Sequence, residues 1–179
     1  MLEGGPARET AIECLGKAGT NKAAEALMAF YERLQSGASE ENFNDRYNVI
    51  SALTPYQDDE RVSLLLKAAA EDLDQPMVEA IKALSLGGVP QERLEYFESR
   101  LADPATRSIP ADMVGIFCVD AIGRLAKRGY VEALPRLYAI ARDRNSSPDR
   151  RKAAFRALRQ MSSLSGLSQQ EIQELEALK

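Results

Sequence analysis

Ala121-Ile122-Gly123-Arg124-Leu125 is one copy of a short pattern, a small residue, an apolar residue, two variable positions and a leucine. It recurs as Ala11-Ile12-Glu13-Cys14-Leu15, Ala80-Ile81-Lys82-Ala83-Leu84 and Ala154-Phe155-Arg156-Ala157-Leu158, and with valine in the first place as Val49-Ile50-Ser51-Ala52-Leu53. Five copies in 179 residues mark a repeat protein. The spacing suits one face of a helix. The small residue lets another backbone come close, and the two larger apolar residues fill the space beside it.

Working outward from each copy, the chain divides into ten expected helices. The first spans 6–18, with Pro6 in its opening turn and Gly19 as a left-handed C-cap. A helix over 22–34 follows, with Ala23, Leu27, Phe30, Tyr31 and Leu34 inward. Ser39 is the N-cap expected for the third helix, whose apolar stripe is read as Tyr47, Ile50 and Leu53 and whose end is set by Pro55. Asp58 or Asp59 caps the fourth, read as turning Leu64, Leu65, Ala68 and Ala69 inward. Helices are expected over about 75–86 and 91–102, divided by Gly87-Gly88. Residues 103–110 form a linker before a long helix from Ala111 to Lys127, apolar nearly all round over 114–119 and closed by Gly129. The remaining three cover about 131–143, 149–161 and 169–178. Alternating strand-type runs are absent.

The pattern leucines Leu15, Leu53, Leu84, Leu125 and Leu158 stand 38, 31, 41 and 33 residues apart. An aspartate follows at a steadier offset, 19 residues for Asp72 and Asp103 and 18 for Asp143. Each hairpin therefore keeps its length while the joints vary, as stacked helical hairpins do. The stretch 131–161, VEALPRLYAIARDRNSSPDRRKAAFRALRQM, resembles HEAT and HEAT-like repeats of the phycobilin-lyase type. The resemblance implies an all-α fold, a right-handed α-α superhelix (solenoid) of about five HEAT-like hairpins. They would form one repeat domain over 1–179, with hairpins at about 6–35, 39–72, 75–102, 111–143 and 149–178. It also implies a ladder of side-chain bonds between neighbouring repeats, carried here by Asp143 or Asp149 and Arg151.

Composition narrows the chemistry. There is no histidine, which removes the most frequent general base and metal ligand, as well as Ser-His and Cys-His nucleophile pairs. The same absence excludes the HEAT-like hydroxylases that use His-Glu iron ligands. Glu13, Glu79 and Asp120 have no second carboxylate at a recognisable offset and read as solvated or ladder residues. The runs 58–60 and 71–74 lack calcium-loop spacing. No catalytic, cofactor-binding or metal-binding residue is expected, and no cofactor. Cys14 and Cys118 are too few for a disulfide scaffold and read as buried, reduced thiols. Asn145-Ser146-Ser147 spells a glycosylation acceptor, read as chance.

The net charge is −4, unevenly placed. Residues 1–120 carry 11 Lys+Arg and 21 Asp+Glu, whereas 121–160 carry 11 and 3. Lys152, Arg156 and Arg159 share a helical stripe, and Arg124 and Arg128 share another; Arg136 and Arg142 sit on the intervening helix. These seven form the candidate docking patch for an acidic protein partner. Tyr96 is the aromatic most suited to a groove, since Leu94, Phe97 and Leu101 already define the buried stripe beside it.

The expected function is a non-catalytic protein–protein scaffold. Two alternatives follow from the resemblance. One is an accessory helical domain of a larger enzyme, such as a zinc aminopeptidase or bilin lyase. The other is a nucleic-acid binder like the HEAT-like DNA glycosylases, disfavoured by a pI of about 5.1 and few aromatics near the arginines. Mean hydropathy is −0.32 and no apolar run approaches 18 residues, so no membrane span is expected. MLEGGPARET shows no basic region followed by an apolar one, and a cytoplasmic location is the expectation.

Overall fold

A computed structural model describes residues 6–36, 41–71, 76–103 and 112–178. The described residues are helical, with no strand among them. In chain order they form α1 (Pro6–Ala18), α2 (Asn21–Ser36), α3 (Glu41–Leu53), a 3-10 turn (Thr54–Tyr56), α4 (Glu60–Glu71), α5 (Pro76–Leu84), α6 (Pro90–Ala102), α7 (Met113–Lys127), α8 (Ala133–Arg142), α9 (Pro148–Gln160) and α10 (Gln169–Glu176). Helix ends follow local chemistry. Gly19 takes a φ of +65° after α1, and α3 stops at Leu53, two residues before Pro55. Asp59 caps α4, its carboxylate accepting from the Arg61 N–H at 2.8 Å. Ser168 and Glu171 form a capping box on α10. Ser39 and Asp72, read above as an N-cap and a hairpin-end aspartate, lie outside the described residues. Asp103 and Asp143 are the C-cap residues of α6 and α8, which accounts for their steady spacing.

The chain forms two compact units, 1–88 and 89–179. Within residues 1–88 the pattern-bearing helices α1, α3 and α5 lie side by side in one layer. The helices between them, α2 and α4, each pack on the pattern-bearing helix that follows. Tyr56 ties the layer together. Its hydroxyl donates to the Leu15 carbonyl at 2.6 Å and accepts from the Gly19 N–H at 2.9 Å, so the turn after α3 caps the end of α1. Residues 89–179 repeat the scheme: α7 lies beside α9, α6 packs on α7, and α8 packs on α7 and α9.

Five copies of one pattern thus share one role. Leu53, Leu84, Leu125 and Leu158 are no more than 1% exposed. Leu15, on α1 with a neighbour in its layer at α3, is half-buried. Complete burial of such a side chain is worth roughly 1.5–3 kcal/mol. The small residues set how closely the helices approach: a Cβ on Gly123 would stand 2.8 Å from the Ala157 Cβ, and one on Gly16 would stand 3.0 Å from the Ala52 Cβ.

Three expectations need correcting. Tyr47 is 41% exposed, because α3 buries Val49, Ile50 and Leu53, and Tyr47 lies about 200° round the helix from Val49. Leu64 is 58% exposed, because α4 buries Val62, Leu66, Ala69 and Ala70, which leaves Leu64 and Ala68 outward and Leu65 half-buried. Cys14 is exposed at the outer side of α1, whereas Cys118 is fully buried in α7 and burial pushes its thiol up to about 12.

Candidate functional site

In residues 89–179, α7 and α9 lie in close contact along the seam where Gly123 meets Ala157. With no long side chain at either position, the seam leaves a notch of about 290 Å³. Arg124 and Lys127 border it from α7, and Arg156 and Gln160 from α9. Asp120 lies on the α7 side and accepts from Arg156 Nη2 at 3.4 Å. The Arg156 side chain remains 58% exposed, so this contact holds it only weakly.

Of the seven cations read from sequence, the structure brings Arg124 and Arg156 to one notch. Lys127, unmarked in the sequence reading, joins them; the signal was its i, i+3 relation to Arg124. Arg159 is exposed one turn beyond Arg156 on α9. Lys152, earlier on the same stripe, stands 4.0 Å from Asp149. Arg128 is exposed as the C-cap residue of α7, its N–H bonded to the Arg124 carbonyl.

The two α8 arginines belong to a different face. Arg136 Nε stands 2.5 Å from Glu98 on α6. A groove of about 310 Å³ runs there, lined by Glu98, Leu101 and Ala102 from α6 and by Arg136, Ala139 and Ile140 from α8. Tyr96 stands half-buried on α6, edge-on to Phe97 with ring centroids 5.6 Å apart, and does not line that groove. Arg142 is taken up at the C-terminal end. It donates to Glu171 at 2.7 Å and to the Gly166 carbonyl, and it lies 5.8 Å from the Tyr138 ring centre. The Ser168 N–H, followed by Arg142, holds the Glu171 carboxyl down to about 2.

Cross-helix bonds are present, one of them on Arg151, which the resemblance implied, and others on residues that it did not. Asp143 accepts from the Asn145 N–H at 3.0 Å, and Arg151 Nε donates to the Ala141 carbonyl at 3.0 Å. A further acid–base link, between α9 and the residue just before α7, falls one residue before Arg151, on Arg150, which pairs with Asp112. Ser147 caps α9 and donates to the same aspartate at 2.7 Å. In residues 1–88, Arg8 pairs with Asp45 and Arg61 with Glu25. These links span 36 to 38 residues, one hairpin each.

Glu79 is 5% exposed and bonded to Lys82 at 3.2 Å, a structural pair. No cluster of metal-ligating side chains occurs among the described residues. No described helix is long and apolar enough to cross a membrane. No family model, curated protein or solved structure matches the chain.

Proposed function

We propose that this chain is a non-catalytic scaffold of HEAT-like hairpins, winding as a right-handed α-α superhelix, that binds another protein through an acidic surface on that partner. The observation carrying this reading is the α7/α9 notch. Arg124, Lys127 and Arg156 converge there over the small residues Gly123 and Ala157, so a partner carboxylate can reach down to the helix surface between three cations. Cations gathered in a concave seam raise the local concentration of an anionic partner and speed its arrival. The notch has no aromatic lining on which bases could stack, which favours an acidic protein over nucleic acid.

The test is a binding titration of the full chain against a fluorescent peptide of alternating Glu and Ser, with single-stranded RNA in parallel. The variant is Arg124→Glu plus Arg159→Glu, two accessible positions. The scaffold reading requires peptide binding at ~50 mM salt that weakens at least tenfold in the variant, with RNA bound no better than the peptide. Tight RNA binding lost in the same variant would install the nucleic-acid reading instead. Equal binding of the peptide to both proteins would remove the docking patch.

A further inference from the structure

Residues 1–88 carry an open surface of the opposite character. Their 8 Lys+Arg and 15 Asp+Glu leave a net charge of −7. Between α2 and α4 runs a groove of about 610 Å³. Met28 and Ala29 line it from α2, and Leu64, Leu65 and Ala68 from α4. Folding accounts for only part of this apolar strip: Met28 and Leu65 are half-buried, whereas Ala29, Leu64 and Ala68 are exposed. α4 already buries Val62, Leu66, Ala69 and Ala70 on its other side, and Leu64 remains 58% exposed. Together with Ala29 and Ala68 it leaves exposed apolar surface along the groove that a partner can cover.

The groove also has an electrical direction. Glu25 on α2 meets Arg61 on α4 at 3.3 Å, an offset of 36 residues. From that pair the groove lining continues to Glu32 and Gln35 on α2 and to Ala68 on α4, so the two helices run parallel. At the N-terminal end Arg61 is shared between Glu25 and Asp59, so the carboxylates there already have a cation. At the other end Glu32 is exposed, with no ion pair among the described residues, and Glu71 ends α4 on the stripe of Leu64 and Ala68. Both helices also turn their C-termini, the negative ends of their dipoles, toward that end.

We propose that the α2/α4 groove docks an amphipathic helix of another protein, apolar face down over Met28 and Leu64, with lysine or arginine beside Glu32. The geometry suits that occupant. α2 is 16 residues long, about 24 Å, which matches three to four turns of a helix laid along it. Apolar residues at i, i+3 or i+4, and i+7 would meet the apolar strip, and a basic residue at one end would meet the acidic end. The site is independent of the α7/α9 notch and selects partners of opposite charge.

The experiment uses the full chain and fluorescence anisotropy with three 15-residue helical peptides. One has a leucine stripe ending in lysines, the second has the same stripe ending in glutamates, and the third is a scrambled version of the first. The lysine-ended peptide is expected to bind best. Leu64→Glu, at a solvent-facing position, is expected to weaken it at least tenfold with the helical circular dichroism retained. Glu32→Lys is expected to weaken it severalfold and shift preference toward the glutamate-ended peptide. Arg124→Glu plus Arg159→Glu is expected to leave it unchanged, which separates this site from the α7/α9 notch. No binding, equal binding of the scrambled peptide, or unchanged binding to the Leu64→Glu protein would each overturn the proposal. A dimer in sedimentation that Leu64→Glu dissolves would also overturn it, showing that a second copy covers the groove.

Discussion

Arg150 at the start of α9 holds Asp112 just before α7 through a two-pronged contact, with Nη2 donating to Oδ1 at 2.6 Å and Nε beside Oδ2. Asp112 sits in the left-handed region at φ +53°, which a side-chain-bearing residue adopts at a cost of roughly 1–2 kcal/mol. The same arginine donates to the Leu101 carbonyl at 3.2 Å, and Ser147 donates to the aspartate. One buried guanidinium thus joins the end of α6, the start of α7 and the start of α9. Arg150→Met should therefore lower unfolding stability by about 3 kcal/mol, since it strands a carboxylate that is mostly buried. Arg150→Lys should fall between, keeping the charge but losing the fork. Asp112→Asn should cost less than Asp112→Ala, because asparagine tolerates the left-handed region and still accepts a bond. Urea midpoints followed by circular dichroism check the order; equal loss in all four variants would contradict it.

The α7/α9 seam predicts a non-additive pair. Gly123→Ala raises helix propensity by up to ~1 kcal/mol. It also sets a Cβ 2.8 Å from the Ala157 Cβ, and the resulting overpacking should outweigh the gain, for a net loss of about 1–2 kcal/mol. Adding Ala157→Gly should recover part of that loss through the shared contact. The matching change in the first unit, Gly16→Ala, meets Ala52 at 3.0 Å and should cost less. A double-mutant cycle with no coupling between positions 123 and 157 would show that the seam is not what limits helix approach.

Glu171 predicts how α10 responds to acid. Its carboxyl is held at about 2, against an ordinary value of 4.5, by the Ser168 N–H first and Arg142 second. A lowered folded-state value means that its contribution is complete above about 4.5 and is lost as the pH falls toward 2. Carboxyl carbon shifts should show Glu171 titrating well below its ordinary value of 4.5. Arg142→Met should move that midpoint upward while leaving it below 4.5, because the backbone bond remains. A wild-type midpoint near 4.5 would show that the capping box is not closed in solution.

The two thiols should separate by rate. Cys14 is exposed and should be alkylated by iodoacetamide within minutes at pH 8 in the folded protein. Cys118, fully buried and pushed up to about 12, should react only when the chain opens. Mass spectrometry of single- and double-labelled species, with and without urea, gives the comparison; simultaneous labelling would place Cys118 outside a closed core.

Helix positions and ends were legible in the chain because their chemistry is local. A proline at Pro6, a positive-φ glycine at Gly19, the capping aspartate Asp59 and the pattern leucines each act within a turn or two of the backbone they govern. Tertiary structure alone decided which face of α4 is inside and which cations converge. α4 carries apolar residues on both sides, so periodicity could not choose between Val62-Leu66 and Leu64-Ala68 until α5 and its neighbours packed on one of them. Arg136, Arg142 and Arg150 look alike as sequence; each found its carboxylate some 29 to 38 residues away, across a gap set by how one hairpin stacks on another. Charge pairing over such separations depends on helix register, and register emerges only when the small residues at Gly123 and Ala157, or Gly16 and Ala52, let two helices touch.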